Sequence, residues 1–372
     1  MNPMISNDCH SIKWDGDRNF PPAAHVSSQP LAGAAGFASV AEAIPASCYA
    51  NPRWKGLAYF FKDYLVHFAI LFGLAVTDRW FLLIPLFVLS SFSVSSLFIV
   101  GHDAAHGSLF RSKNLNYWVG RFAMVPSLHV YESWVVGHNR LHHGFTARHR
   151  ADFVWHPLTI EDWGEMNYLQ RAISRFEWSW LGAGFYYIRN VWLKMVDWRQ
   201  PGSISFKVHK DQTFLALASL VYCGIIGLVG LYMYGSYFGA VWMVSKLVLI
   251  PAFLFMYCIG IVVYMHHISP DIQWHGASRW DRFKGQVEAT TNLTMPFGLD
   301  FFFHYIMLHV PHHVDVRIPF YNLPNAVRAI NSVFPHLMHE GRFDLADYWR
   351  STRNCKLYNF DAGTWIPYPE KV

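Results

Sequence analysis

The sequence predicts an all-α integral membrane protein. Four spans form two transmembrane hairpins, and a helical cap on the cytoplasmic side holds a histidine-rich site. Three observations predict this. Hydrophobic residues make up 53% of the 372-residue chain and charged residues only 15%, well below the ~25% charged of an average soluble domain. Four apolar runs reach about 20 residues each, the length that crosses a ~30 Å hydrocarbon core. Three histidine clusters sit where apolar runs meet polar sequence: His102-Asp-Ala-Ala-His106, His138-Asn-Arg-Leu-His142-His143 and His309-Val-Pro-His312-His313.

Residues 1–56 are expected to form a cytoplasmic arm. They are rich in Ala, Ser and Pro and lack the basic segment and apolar run of a cleavable signal. The first hairpin, 57–100, comprises spans 57–76 and 80–100 joined by Thr77-Asp78-Arg79; Lys62 and Asp63 weaken the start of its first span. Residues 101–212 form a cytoplasmic insert with the first two histidine clusters. The second hairpin, 213–265, comprises spans 213–234 and 237–265 joined by Gly235-Ser236. Residues 266–372 form the cytoplasmic C-terminal cap, with His266, His267 and the third cluster.

Orientation follows from charge. Arg79 is the only basic residue in the two short connectors, and nearly all other Lys and Arg lie before the first span, in the insert or after the last span. An excess of Lys and Arg marks cytoplasmic loops. Both termini are therefore expected in the cytoplasm, at the inner or plasma membrane if the source is bacterial, and every histidine cluster reaches the same membrane face. Trp and Tyr are abundant, as at a bilayer interface; Phe176-Glu-Trp-Ser-Trp180 and Phe185-Tyr-Tyr187 are expected to lie there. The net charge of +5 is diffuse and no basic run occurs, so a nucleic-acid partner is excluded. The five cysteines are scattered without metal-site spacing.

Imidazole is the commonest ligand of transition metals. His102 and His106 are four residues apart, as are His138 and His142, and His309 and His313, so on helices each pair shares a face. His143 and His312 add neighbouring arms. Pro311 is tolerated only in the first turn of a helix, which predicts a helix starting near Val310. Imidazoles alone suit zinc, copper or iron, but eight exceed the four ligands of one structural zinc and imply two metals. Two redox metals at a membrane face point to oxygen activation. His67, His129, His149, His156 and the other isolated histidines are read as capping or interfacial residues. Lys246, within the fourth span, either serves a substrate or reaches the far interface.

These boxes, in this order between apolar hairpins, resemble the membrane fatty-acid desaturase superfamily over roughly residues 58–323. Gly101-His-Asp-Ala-Ala-His106-Gly-Ser resembles the first family box, with Ala104 and Ala105 where relatives often carry Cys and Gly. His142-His143-Gly-Phe-Thr with Asp152-Phe-Val-Trp-His-Pro157, and His309-Val-Pro-His-His313 with Arg317-Ile-Pro-Phe-Tyr321, resemble the delta-12/omega-6 acyl branch.

The resemblance implies a nonheme diiron centre, two Fe ions held by His102, His106, His138, His142, His143, His309, His312 and His313, with O2 as co-substrate. It adds His267 as a ninth ligand, since Tyr264-Met-His-His-Ile-Ser-Pro270 matches a Gln-His-Thr element; His266 takes the Gln position, and His304 has a counterpart in some relatives. Asp103, Asn139, Asp152 and Asp315 are the nearest polar groups expected to orient the imidazoles. The implied reaction places a cis double bond in a fatty acyl chain. Decarboxylation of a free fatty acid to a terminal alkene and fatty-acyl hydroxylation are alternatives, and a non-enzymatic metal transporter is a remote one. No haem, iron–sulfur or nucleotide motif is fused to the chain. An external ferredoxin- or cytochrome-type donor with its reductase is therefore expected, docking on basic residues such as Arg140, Arg148 and Arg150.

Overall fold

The computed structural model describes residues 36–197 and 203–369. Most of the expected arm lies outside them, including Cys9, His10 and His25. Four helices are long and apolar enough to cross a membrane: α1 (Arg53–Ala75), α2 (Trp80–His106), α3 (Ser203–Tyr234) and α4 (Tyr237–His267). α3 starts at Ser203 rather than 213, because its polar first turns are as helical as the apolar ones that follow.

Burial separates the four. The most apolar windows of α2 and α4 are 61% and 56% buried, against 22% and 11% for α1 and α3. α2 and α4 therefore form the centre, and α1 and α3 turn Phe61, Leu65, Phe72, Leu220 and Leu228 outward, as lipid-facing surfaces do. The buried serines of α2 donate to carbonyls one turn back: Ser90 to Phe87 at 2.8 Å, Ser93 to Ser90 at 2.8 Å and Ser95 to Ser91 at 3.0 Å. These hydroxyls are thereby satisfied within the helix itself.

α2 continues through His106, so the first histidine box lies on the helix itself rather than after it. Ala104 and Ala105 favour helix, and Gly107, at φ 75°, ends it. In α4 a π-helical turn, Ser245–Leu249, precedes Pro251. A proline ring clashes with the carbonyl four residues back in an ordinary helix, and a wide turn is one way to relieve it.

Lys246 lies on that turn and is fully buried. Its Nζ donates to Asp78 Oδ1 at 2.8 Å, Thr77 O at 3.1 Å and Tyr234 Oη at 3.0 Å. It fastens the first short connector to the last residue of α3, at the end of α2 remote from the histidines. Of the two roles open to Lys246, the geometry favours reaching the far connector.

The chain is mainly helical, in keeping with the all-α expectation, with four short strands besides among the described residues. β1 (Thr291–Thr294) pairs in parallel with β2 (His339–Arg342), and Leu357–Asn359 pairs antiparallel with Thr364–Ile366. Strands of three or four residues carry no readable periodicity. Outside the spans, a helical run at 131–145 and another at 183–196 cover α2 and α4. Gly260 of α4 approaches the second run so closely that a Cβ would lie 2.4 Å from the Ala183 carbonyl oxygen. The aromatic stretches at 176–187 divide: Phe176, Trp180 and Phe185 are exposed, whereas Trp178, Tyr186 and Tyr187 belong to the core.

Candidate metal centre

Three helices and the end of a fourth converge on one point. α2 brings His102 and His106, the end of α4 brings His267, and α5 (His309–Val314) brings His309, His312 and His313. α5 starts one residue earlier than expected, with Pro311 still in its first turn. Asn292 of β1 fixes that start, its Oδ1 accepting from the Val310 N–H at 2.9 Å.

The second box departs from its expected geometry. Val135–His142 is a π-helical segment, followed by a short α-helical turn at His143–Phe145. In a π-helix the hydrogen bonds run over five residues, so His138 is matched with His143 and not with His142, which corrects the shared face expected for His138 and His142.

The result is two groups of imidazoles. Ligand atoms of His102, His106, His138, His143 and His312 lie within 4.8 Å of one another, and so do those of His142, His267, His309 and His313. Within the first group Nε2 of His138 is 2.9 Å from that of His102 and 3.1 Å from that of His143, and Nε2 of His143 is 3.2 Å from that of His312. All nine histidines named from the sequence are in these groups. Neither group contains a carboxylate.

The outward nitrogens are held by acceptors. His102 Nδ1 faces Asp103 Oδ1 at 3.0 Å, His142 Nδ1 faces both oxygens of Asp152 at 3.0 and 3.1 Å, and His313 Nδ1 faces Gln286 Oε1 at 2.7 Å. Backbone carbonyls serve two more: Ala289 for His267 at 3.0 Å and Ile306 for His309 at 3.1 Å. An acceptor on Nδ1 fixes the proton there and leaves the Nε2 lone pair facing inward. The inward Nε2 atoms of His267 and His313, and both ring nitrogens of His106, are buried with no hydrogen-bond partner among the described residues. Orphaned buried nitrogens are costly, and converging lone pairs of this kind could hold a metal ion. Burial, and then neighbouring imidazoles, push His138, His143, His309, His312 and His313 well below the ordinary histidine range, the neutral form a ligand requires. The donor set fits soft-to-borderline transition metals.

Asp103 and Asp152 are anchored from behind, Asp103 by the Phe320 N–H at 2.6 Å and Asp152 by the Ala147 and Val154 N–H groups at 3.0 Å. Asn139 and Asp315 do not play the part expected of them. Asn139 donates to the Ala105 carbonyl at 2.8 Å, and Asp315 pairs with Arg317; neither bonds an imidazole among the described residues. His304 turns away to Asp63, 2.7 Å from Oδ2. His266 stacks on His309, centroids 3.6 Å apart, with its Nε2 on Met307 Sδ. Gln286 and Thr146 were not anticipated. Gln286 lies 27 positions from His313, and no spacing rule joins two residues that far apart.

A narrow cleft opens beside the histidines, walled by Phe98, Trp134, Tyr187, Val191, Met195 and Ile259 among other side chains, none of them Lys, Arg, Asp or Glu.

These features define a class: a chain with four membrane-length apolar helices and a histidine-built site at one end of the central pair, next to an apolar cleft. The family model for fatty acid desaturases matches residues 40–340, and the chain belongs to that family. It is 30% identical over 333 residues to an sn-1 acyl-lipid omega-3 desaturase (ferredoxin) of Nostoc sp. (strain 36), covering 88% of this chain and 89% of the relative. It is 27% identical over 292 residues to an sn-1 oleoyl-lipid 12-desaturase of Picosynechococcus, covering 77% and 80%. It is 25% identical over 288 residues to a chloroplastic omega-6 fatty acid desaturase of Glycine max, covering 75% and 63%.

Proposed function

We propose that this chain is a membrane-bound, O2-dependent diiron desaturase that places a cis double bond within a fatty acyl chain. The observation that carries the reading is the pair of adjoining all-imidazole groups opening onto an apolar cleft. His102, His106, His138, His143 and His312 would hold one iron, and His142, His267, His309 and His313 the other. Bound there, the iron pair supplies the redox chemistry that activates O2 and removes two hydrogens from adjacent carbons. The overall reaction balances as –CH2–CH2– + O2 + 2e⁻ + 2H⁺ giving –CH=CH– + 2H2O.

The chain's own residues bind, orient and exclude water. Asp103, Asp152 and Gln286 keep the imidazole protons on Nδ1. Phe98, Trp134 and Tyr187 shape the cleft in which the acyl chain lies against the histidines. The cleft lining has no cation to seat a carboxylate, and Lys246 is engaged with Asp78 far from it. This supports attack along the chain over loss of the carboxyl group. The charge pattern supports two hairpins with both termini in the cytoplasm, inner membrane if bacterial. An acyl-lipid substrate and a ferredoxin donor, served by its reductase, are in keeping with the names of the relatives.

Product analysis tests the reading. Membranes containing the chain, given labelled acyl lipid or free fatty acid and reduced ferredoxin, are expected to yield an internal alkene of unchanged carbon number. A terminal alkene one carbon shorter, or a hydroxylated chain, overturns it.

A further inference from the structure

We infer that the Trp280 indole, within a basic surface, is where an acidic one-electron carrier protein passes electrons to the site, through Thr146. The inference rests on the reading of the chain as an electron-fed oxidoreductase. The second group is closed to the outside: His142, His267, His309 and His313 are all buried. Electrons from a separate protein must therefore cross intervening residues.

Thr146 is such a link. It is fully buried, and its Oγ1 lies 2.7 Å from the His142 carbonyl, 3.1 Å from Gln286 Oε1 and 3.2 Å from His313 Nδ1. Its carbonyl accepts from Trp280 Nε1 at 2.8 Å. Trp280 is only partly buried, so two hydrogen bonds and one residue, Thr146, separate its indole from His142 and His313 of the same group. Trp274 also donates to this region, to the His267 carbonyl at 3.3 Å, but it is fully buried and offers nothing to a partner.

The surface around Trp280 states what the partner must be. The Arg148 guanidinium lies 5.8 Å from the Trp280 ring and 5.2 Å from that of Phe145. Its Nε is buried without a hydrogen-bond partner among the described residues. Arg279 and Arg282 are exposed on the same segment, and Lys284 reaches back to the Arg279 carbonyl. Asp281 is the one acid in that short segment, against Arg279, Arg282 and Lys284. A basic rim around a partly exposed aromatic suits an acidic protein that docks fast and leaves. Each turnover oxidises two reduced carriers by one electron apiece. Those electrons join the two taken with two hydrogens from the acyl chain, and O2 accepts all four. The indole stays in one oxidation state, as a bridge.

The test uses the iron-loaded full chain, a plant-type [2Fe–2S] ferredoxin and, separately, dithionite, with the reduction rate followed anaerobically. Arg148→Gln/Arg279→Gln is expected to slow ferredoxin-driven reduction about tenfold at low ionic strength and to flatten its salt dependence. Trp280→Phe keeps a ring but loses the N–H donor; it is expected to slow the electron step while ferredoxin affinity holds. In both variants iron content and dithionite reduction match wild type. Equal ferredoxin rates in all three proteins overturn the inference. So does a parallel fall in iron content and dithionite reduction, which marks a structural role. So does loss of binding to phosphatidylglycerol vesicles with ferredoxin rates intact, which assigns the basic rim to lipid. Alkene formation by the wild type is scored separately, so failure of the desaturase reading is distinguishable from failure of this route.

Discussion

His138 and His143 are five residues apart, yet their Nε2 atoms lie 3.1 Å from each other. The π-helical segment Val135–His142 brings this about, and it frees His142 to join the other group. Adjacent residues thereby serve different groups, and His312 and His313 repeat the division on α5.

His142→Ala and His143→Ala are therefore expected to injure different ions. Each single variant is predicted to retain about one of about two irons per folded chain, and the double variant to retain little. Metal analysis of purified protein checks this. A double variant that still retains about one iron would place both imidazoles on the same ion and contradict the two-group assignment.

Asp152→Ala and Gln286→Ala remove the acceptors behind His142 and His313. Losing such an acceptor weakens metal binding about 10–100-fold. Chelator titration should show that loss for both, with helical content unchanged by circular dichroism. Asp315→Asn, whose partner is Arg317, should bind iron as the wild type does.

Lys246→Leu removes a buried ammonium from Asp78, whose side chain is half exposed. The freed carboxylate can be rehydrated, so the cost is small, about 1 kcal/mol. The expected outcome is a slightly lower melting temperature with unchanged turnover per folded molecule. A collapse of turnover at preserved stability would return Lys246 to a substrate role.

His129 is buried between the Ser127 carbonyl and Tyr187 Oη, and burial lowers its pKa to about 3. As pH falls below the ordinary histidine value of ~6.5, the unfolded chain takes up a proton that the folded chain does not. Stability therefore falls with falling pH, by about 2 kcal/mol at pH 5 from this residue alone. His129→Gln should be less stable than wild type at pH 8, with the gap narrowing toward pH 5. Denaturant unfolding in detergent measures both. A gap that widens on acidification would contradict the sign.

Much of the site was legible because its residues cluster in sequence. His102 with His106 and His309 with His313 are ordinary helical pairs, and the four apolar runs are near bilayer length. His267 was reached by its likeness to a family element at the end of the last span. What stayed hidden depends on contacts distant in sequence or on local departures from α-helix. The π-helical segment at 135–142 has no periodicity of its own. Gln286 and Thr146 meet His313 only through the fold, 27 and 167 positions away. His304 carries the same residue type as the ligands, but Asp63, 241 positions away, claims it. Asn139 and Asp315 stood beside ligands in sequence and point elsewhere in space.

The most direct measurement is X-ray absorption at the iron edge, with metal quantification, on the purified iron-loaded chain. Two adjoining groups built only of imidazole predict about two irons per chain with nitrogen as the sole protein donor. A single iron per chain, or protein carboxylate oxygens among the ligands, would contradict it.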